Sequence, residues 1–256
     1  MAKQKGATQK GFLHLSGSLG DTTFVDSKDG FRAKQKISIS KPRRNYHSDF
    51  ALQRLKQDEF TECIKAGKLL RHSIGVPISL AQDSKMETRL VSEMMKVLKL
   101  EGNPKRFRNS ILPANLDLLL GFNFNNKVRL RSVFNVGCKA DINRGTGVMA
   151  INISSFIPSS AIKAPKLTSH FTISSAAIEI DFAENYVQSK VYESEALTFD
   201  SNPTLPITMV HNMTPNSNKT LMLLLGIRFI DETSNIIPRL LCKQNPLCIV
   251  ALNKVP

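Results

Sequence analysis

HFTISSAAIEIDF (170–182) and LMLLLGIRFI (221–230) decide the fold. In both, apolar residues recur at every second position, the period of a β-strand rather than of a helix. From about Leu116 onward the same period returns in LDLLLGFNFN, VRLRSVFNV, CKADI, VMAINISSF, YVQSKVYES, ALTF, ITMVHN and LCIVALNKV. Turn signals such as Asn125-Asn126, Asn143-Arg144-Gly145 and Asn202-Pro203 separate these segments. About nine short strands at this spacing predict an antiparallel β-sandwich over residues 111–256. No self-similar period is visible, which argues against a solenoid or propeller.

Upstream the period changes. Leu52, Leu55, Phe60, Cys63, Ile64, Gly67, Leu70 and Ile74 fall mainly at three- and four-residue steps, with Ser48 as a candidate cap and Gly75-Val76-Pro77 as the stop. A second helix is expected from about Asp83 to Leu100, capped by Asp83 or Ser84, with Met86, Leu90, Met94, Val97 and Leu98 along one stripe. Gly102 and Pro104 close it. The short connection predicts an antiparallel pair over residues 49–110. Residues 1–48 read as a basic hairpin arm: a glycine turn at Gly17–Gly20, a strand through Phe24, a second turn at Asp29-Gly30, then FRAKQKISIS. The expected class is α+β, mainly β: hairpin arm, helix pair and C-terminal sandwich.

Charge follows the same division. Residues 1–110 hold 22 Lys and Arg against 11 Asp and Glu; residues 111–256 hold 13 against 10. Most of the net charge of +14 therefore lies before the sandwich, as in a chain with an attachment region for an acidic partner. Two basic–aromatic clusters bracket the helices. One has Lys41, Arg43 and Arg44 beside Tyr46; the other has Lys105, Arg106 and Arg108 around Phe107. Lys and Arg neutralise phosphates, and Tyr and Phe offer stacking surfaces, so these eight residues are the candidate polyanion contacts. Gly17, Gly20, Phe24, Asp29 and Gly30 are the candidate arm and assembly positions, because a small hairpin unit must pack on something larger.

Catalytic and metal patterns are weak. The glycines at 17–20 meet neither the phosphate-loop nor the nucleophile-elbow pattern, because no Gly-Lys-Ser/Thr follows and Ser16 stands where the elbow needs Gly. Glu179 and Asp181 share a strand face, as do Glu193 and Glu195, and read as solvent-facing charges on a half-buried sheet. Neither acidic pair has a His close by in sequence to complete an acid–base set, although His170 begins the strand that carries Glu179. His14, His47, His72, His170 and His211 are dispersed, and Cys63, Cys138, Cys242 and Cys248 have no metal-ligand spacing. No cofactor, catalytic residue or metal ligand is expected. The basic start, MAKQKGATQKG, has no long apolar run behind it, and Leu221–Ile227 is too short to cross a bilayer. A cytoplasmic or particle-associated location without membrane insertion is expected.

Several stretches carry a resemblance: MAKQKG, Leu15-x-Gly17-x-Leu19-Gly20-Asp21-x-Thr23-Phe24, Asp29-Gly30-Phe31 and AGKLLR at 66–71. Further on come Ser155–Pro158, His170-Phe171, IEIDF at 178–182, Thr214–Ser217 and Leu225-Gly226-Ile227-x-Phe229. On these residues the chain resembles a family of uncharacterised proteins from Bacteroidota bacteria. It departs from the family pattern at Val25, where an aromatic is usual, and at Lys34, where Arg is usual. The resemblance implies a bacterial or phage setting and no particular activity.

The expected function is that of a non-enzymatic structural or assembly protein, in the manner of a virion or particle component. Its basic N-terminal region would engage a neighbouring copy, another protein or a polyanion. The alternative is a nucleic-acid-binding accessory protein that forms no lattice. A carbohydrate- or peptide-binding sandwich ranks lower, since the chain has no Trp.

Overall fold

The two long runs form neighbouring antiparallel strands, His170–Asp181 and Thr220–Asp231, in register from Ile180 opposite Thr220 to His170 opposite Ile230. The structure is a computed structural model and describes residues 7–8, 15–27, 30–35, 39–100, 113–231, 239–240 and 244–254. The chain divides into two compact units, Met1–Arg54 and Leu55–Pro256.

The first unit holds a four-stranded antiparallel sheet in the order β1-β4-β3-β2, from β1 (Ala7–Thr8), β2 (Gly17–Leu19), β3 (Thr22–Ser27) and β4 (Gly30–Gln35). Helix α1 (Lys41–Tyr46) follows. In the register, Leu19, Phe24, Phe31 and Ala33 share one face, while Thr23, Val25, Arg32 and Lys34 share the other. Gly20 at φ +56° makes the first turn, and Gly17 at φ +114° opens β2. Gly30 is paired with Ser27, so it is the first residue of β4 rather than a turn residue. Asp29 lies outside the described residues.

Helix α2 (Ala51–Ile74) leads into the second unit and stops at Gly75; a short α3 (Val76–Leu80) and then α4 (Met86–Lys99) follow. Gly67 sits against Leu90 and Val91, and Arg71 pairs with Glu87, so α2 and α4 run in opposite senses, as expected. Ser48 is not the cap: the imidazole of His47 accepts from Asp49 N at 3.3 Å at the start of a 3-10 turn before α2. After α4 come α5 (Leu130–Val133), β5 (Cys138–Asn143), β6 (Val148–Ile153), α6 (Pro158–Ala161), β7 (His170–Asp181) and β8 (Tyr186–Glu193). Then follow β9 (Leu197–Thr198), β10 (Ile207–Asn212), β11 (Thr220–Asp231), β12 (Arg239–Leu240) and β13 (Leu247–Asn253).

Two sheets result. β12, β11, β7 and β8 form the larger, with β13 also on β11 and β9 also on β7; β10, β6 and β5 form the smaller. Phe171, Ile173, Leu221, Leu223, Leu225, Ile227 and Phe229 face Met149, Ile151, Ile153 and Met209 of the small sheet. The alternate residues Ala176, Ile178, Ile180, Met222 and Leu224 face Cys63, Leu70, Ile74, Leu90 and Met94 of the helices. The sandwich is therefore roofed by the helix pair. Helices expected to stand apart as residues 49–110 share a core with the large sheet from Leu55 on, because their apolar stripe needs that face to bury itself.

Two expected strands are helical. Pro113–Leu119 is a 3-10 segment, and residues 130–133 of VRLRSVFNV form α5. In each, apolar residues three apart (Leu116 with Leu119, Leu130 with Val133) are the buried ones, and Leu118 and Leu120 are left exposed. Residues 121–124 then run along the outer edge of β13: Gly121 N donates to Ile249 O and Phe124 N to Leu247 O, both at 2.9 Å.

One arginine ties the far end together. The Arg144 guanidinium donates to the carbonyls of Ser217, Lys219, Asn253 and Lys254. Beside it, Gly147 has φ +73°, and a Cβ there would lie 2.5 Å from Met213 O. Gly147→Ala is expected to lower stability by about 1–3 kcal/mol or more, through strain and collision, and Gly145→Ala, whose Cβ meets nothing closer than 3.5 Å, to change it little. Thermal melts of the two variants check this.

Candidate functional site

The stretch KPRRNYH, read as a basic connector, forms α1 at its start, with Pro42 in the first turn where its missing N–H costs nothing. Extended His47 ends the helix, and Arg54 Nη1 donates to the carbonyls of Arg44 (2.9 Å) and His47 (3.0 Å). Lys41, Arg43, Arg44 and Tyr46 are all exposed, Tyr46 at 84%. There is no acidic residue in the first turn, and none of the three cations has an ion-pair partner among the described residues. The helix is thus a small solvated cationic knob with an aromatic ring at its end. Lys105, Arg106, Phe107 and Arg108 lie outside the described residues, so the convergence of the two clusters on one face stays an expectation.

The arm residues sit in the small sheet. Phe24 shares a face with Leu19, which is 74% exposed. No described residue of the first unit whose exposure is known is buried.

The acidic pairs behave otherwise than expected. Glu179 is not a solvent-facing charge; it is 1% exposed, on the β7 face that meets the small sheet. Ser217 Oγ donates to its Oε1 at 2.7 Å, and Oε2 has no hydrogen-bond partner. A polar atom so placed costs about 1–3 kcal/mol. Asp181 lies two residues along and caps the turn after β7, its Oδ1 accepting from Ala183 N and Glu184 N. His170, an odd number of residues from Glu179, points to the opposite face, so the two cannot act as acid and base. Glu193 is engaged by Arg228 at 2.7 Å and by Thr172 Oγ1 at 2.6 Å. The expectation of charges on a half-buried face fails for Glu179 because the sheet is covered on both sides.

Sequence reasoning missed three buried polar centres. Ser175 Oγ lies 2.7 Å from His211 Nε2 between the two sheets, at 1% and 3% exposure. Nucleophile-and-base geometry is present, but burial holds it away from any substrate in solution. Asp83 accepts from Asn126 N and Lys85 N, both at 2.8 Å, and pairs with Arg89, whose guanidinium also donates to the carbonyls of Asn123 and Phe124. Burial works against ionisation of Asp83, but those donors outweigh it and hold its carboxyl below the ordinary range. Asn245 donates to Leu80 O and accepts from Phe229 N, each at 3.0 Å, fastening the loop before β13 to the end of α3. Apart from the Asp83–Lys85 contact, no local pattern marks these residues, since their other partners lie 6 to 165 positions away.

Among the described residues no three His, Cys, Asp or Glu gather as metal ligands, and no helix is long and apolar enough to cross a membrane. A groove of about 600 Å³ lies between α2 and the β7–β8 turn, with Lys65, Lys68, His72, Leu69 and Phe182 in its walls. No family model matches the chain, and no curated protein matches it.

Burial, and to a lesser degree the charge of Lys190, holds the His211 pKa below the ordinary value of about 6.5. Acid therefore protonates the unfolded chain first. This contribution to stability is complete above about pH 6.5 and is lost as pH falls through the lower folded-state value. His211→Gln, which carries no titrating group, is expected to flatten the fall in melting temperature between roughly pH 6.5 and pH 5. Equal acid sensitivity of variant and wild type would clear His211 of the effect.

Proposed function

We propose that this is a non-enzymatic assembly protein, in the manner of a virion or particle component, whose N-terminal unit attaches each copy to a neighbour. The observation that carries the reading is the small sheet of that unit. One face carries Leu19, Phe24, Phe31 and Ala33 together with Thr22, Asp26 and Gln35, the other Arg32 and Lys34 together with Thr23 and Val25, and no residue among those described whose exposure is known is buried. Isolated sheets of this size gain too little burial to stand alone, so a second surface completes them. β2 and β1 have no further strand beside them among the described residues, so their edges offer places on which another strand can add. The β-rich residues 111–256, with 13 Lys and Arg against 10 Asp and Glu, supply a near-neutral body. A bacterial or phage setting is part of the proposal and rests on the resemblance in the sequence.

A second reading has its own support. The exposed, unneutralised Lys41, Arg43 and Arg44 next to Tyr46 suit a phosphate backbone with unpaired bases. In that case the chain binds single-stranded nucleic acid without a lattice.

Light scattering across concentration and salt tests the first reading. The mass of the full chain is expected to rise with concentration, and Leu19→Glu or Phe24→Glu to curb the growth; a protein that stays monomeric throughout overturns it. For the second reading, the slope of log affinity against log salt is expected to fall by about 2 when Lys41, Arg43 and Arg44 are changed to Ala, near 0.7 for each lost single-strand phosphate contact. An unchanged slope removes nucleic acid from the account.

A further inference from the structure

β8 is an edge strand. It pairs with β7 along one side, and along the other it has no backbone hydrogen-bond partner among the described residues. From Ser189 to Glu193 every residue is exposed, and Tyr186, Val191 and Tyr192 are 37%, 48% and 44% accessible. An open edge of eight residues with such side chains is a template for another strand.

The sequence of the edge says which strand fits. Residues 186–192 read Tyr-Val-Gln-Ser-Lys-Val-Tyr, a palindrome about Ser189 that departs from symmetry only at Gln188 and Lys190. We propose that β8 pairs antiparallel with the β8 of a second copy of this chain, about a two-fold axis at Ser189, joining two large sheets into one. Tyr186 then lies opposite Tyr192 of the other copy, Val187 opposite Val191, Gln188 opposite Lys190, and Ser189 opposite itself. Facing residues share a side of the sheet, so like meets like: aromatic pairs on the side of the small sheet, β-branched pairs on the side of the helices. The one charge inside the palindrome meets an amide rather than its own kind. Moving the axis to Lys190 would set two ammonium groups against each other and put Gln188 opposite Tyr192.

A lysine in an edge strand can also serve to repel pairing. Here the Lys190 ammonium is turned aside, donating to the Asn212 carbonyl at 2.5 Å, so it reaches toward the small sheet. The other side of the large sheet is closed in a different way, since residues 121–124 already lie along β13. A two-fold contact uses the same patch on both copies and closes on itself as a dimer. Because this contact lies in the second unit, it does not depend on the N-terminal sheet. A protein with both surfaces has the two contacts that an extended array requires.

Sedimentation velocity on the full chain carrying Leu19→Glu reads this contact with the N-terminal surface disabled. A concentration-dependent dimer is expected. Adding Ser189→Lys sets two lysines face to face at the axis and is expected to raise the dissociation constant at least roughly tenfold, with Ser189→Glu acting alike. An equimolar mixture of the two is expected to restore the dimer. A monomer at every concentration in the Leu19→Glu background, an unchanged constant in Ser189→Lys, or a mixture no tighter than its components each overturns the pairing. Cross-linking checks the register without added charge. Cα atoms facing each other across an antiparallel pair are about 4.5–5.5 Å apart, within disulfide reach, so oxidised Ser189→Cys is expected to link to itself and Gln188→Cys not to. Linkage of both, or of neither, also overturns it.

Discussion

The pairing of β7 with β11 is the constraint on which the rest depends. Both strands are twelve residues long and buried on both faces, so every side chain along them is committed by parity to one of two cores. Phe171, Leu223 and Phe229 belong to the space between the sheets, and Ile178, Met222 and Leu224 to the space beneath the helices. A slip of one residue would exchange the two sets. It would move Glu179 and Ser175 under the helices and open Ile178 to the small sheet. Few sheets are so strongly specified, and the register leaves the helix pair only one place to dock.

That double burial explains the cost visible elsewhere. Glu179, Ser175, His211, Asn125 and Asn245 are polar groups in a closed interior, and each except the second oxygen of Glu179 finds a partner from a distant part of the chain. Such bonds add little net stability when made but are expensive to leave unmade, so they fix geometry more than they add energy. Arg144 and the Asp83–Arg89 pair do the same for loops, gathering carbonyls that have no place in a sheet. The surfaces left for function are those the core does not use: the small N-terminal sheet, the cationic α1 and the β8 edge.

Much of this was legible in the chain and some was not. The helices over Ala51–Ile74 and Met86–Lys99, the hairpin at Gly20 and the strands from Cys138 onward follow from period and turn chemistry. LDLLLGFNFN and VRLRSVFNV did not, because each has apolar residues both two and three positions apart and so satisfies a strand period and a helical step equally well. Packing broke the tie in favour of Leu116 with Leu119 and Leu130 with Val133. Glu179 was misread for a related reason: alternation shows which residues share a face but cannot say whether that face is wet. Of the candidate contacts, Lys41, Arg43, Arg44 and Tyr46 are exposed as a binding surface requires, since a short run of charge and aromatic around a proline has little to bury against.

By itself the sequence determined the class, the antiparallel pairing of neighbouring strands, the gathering of charge before residue 111 and the palindrome at Ser189. These depend on residues close together along the chain. The tertiary structure decided that the sandwich is covered by the helices, that Ser175 meets His211 and Ser217 meets Glu179, and that β8 lies at an edge of the large sheet with no further strand beside it among the described residues. Each of those is a relation between residues dozens of positions apart, settled when two cores compete for one sheet, and no local period carries that information.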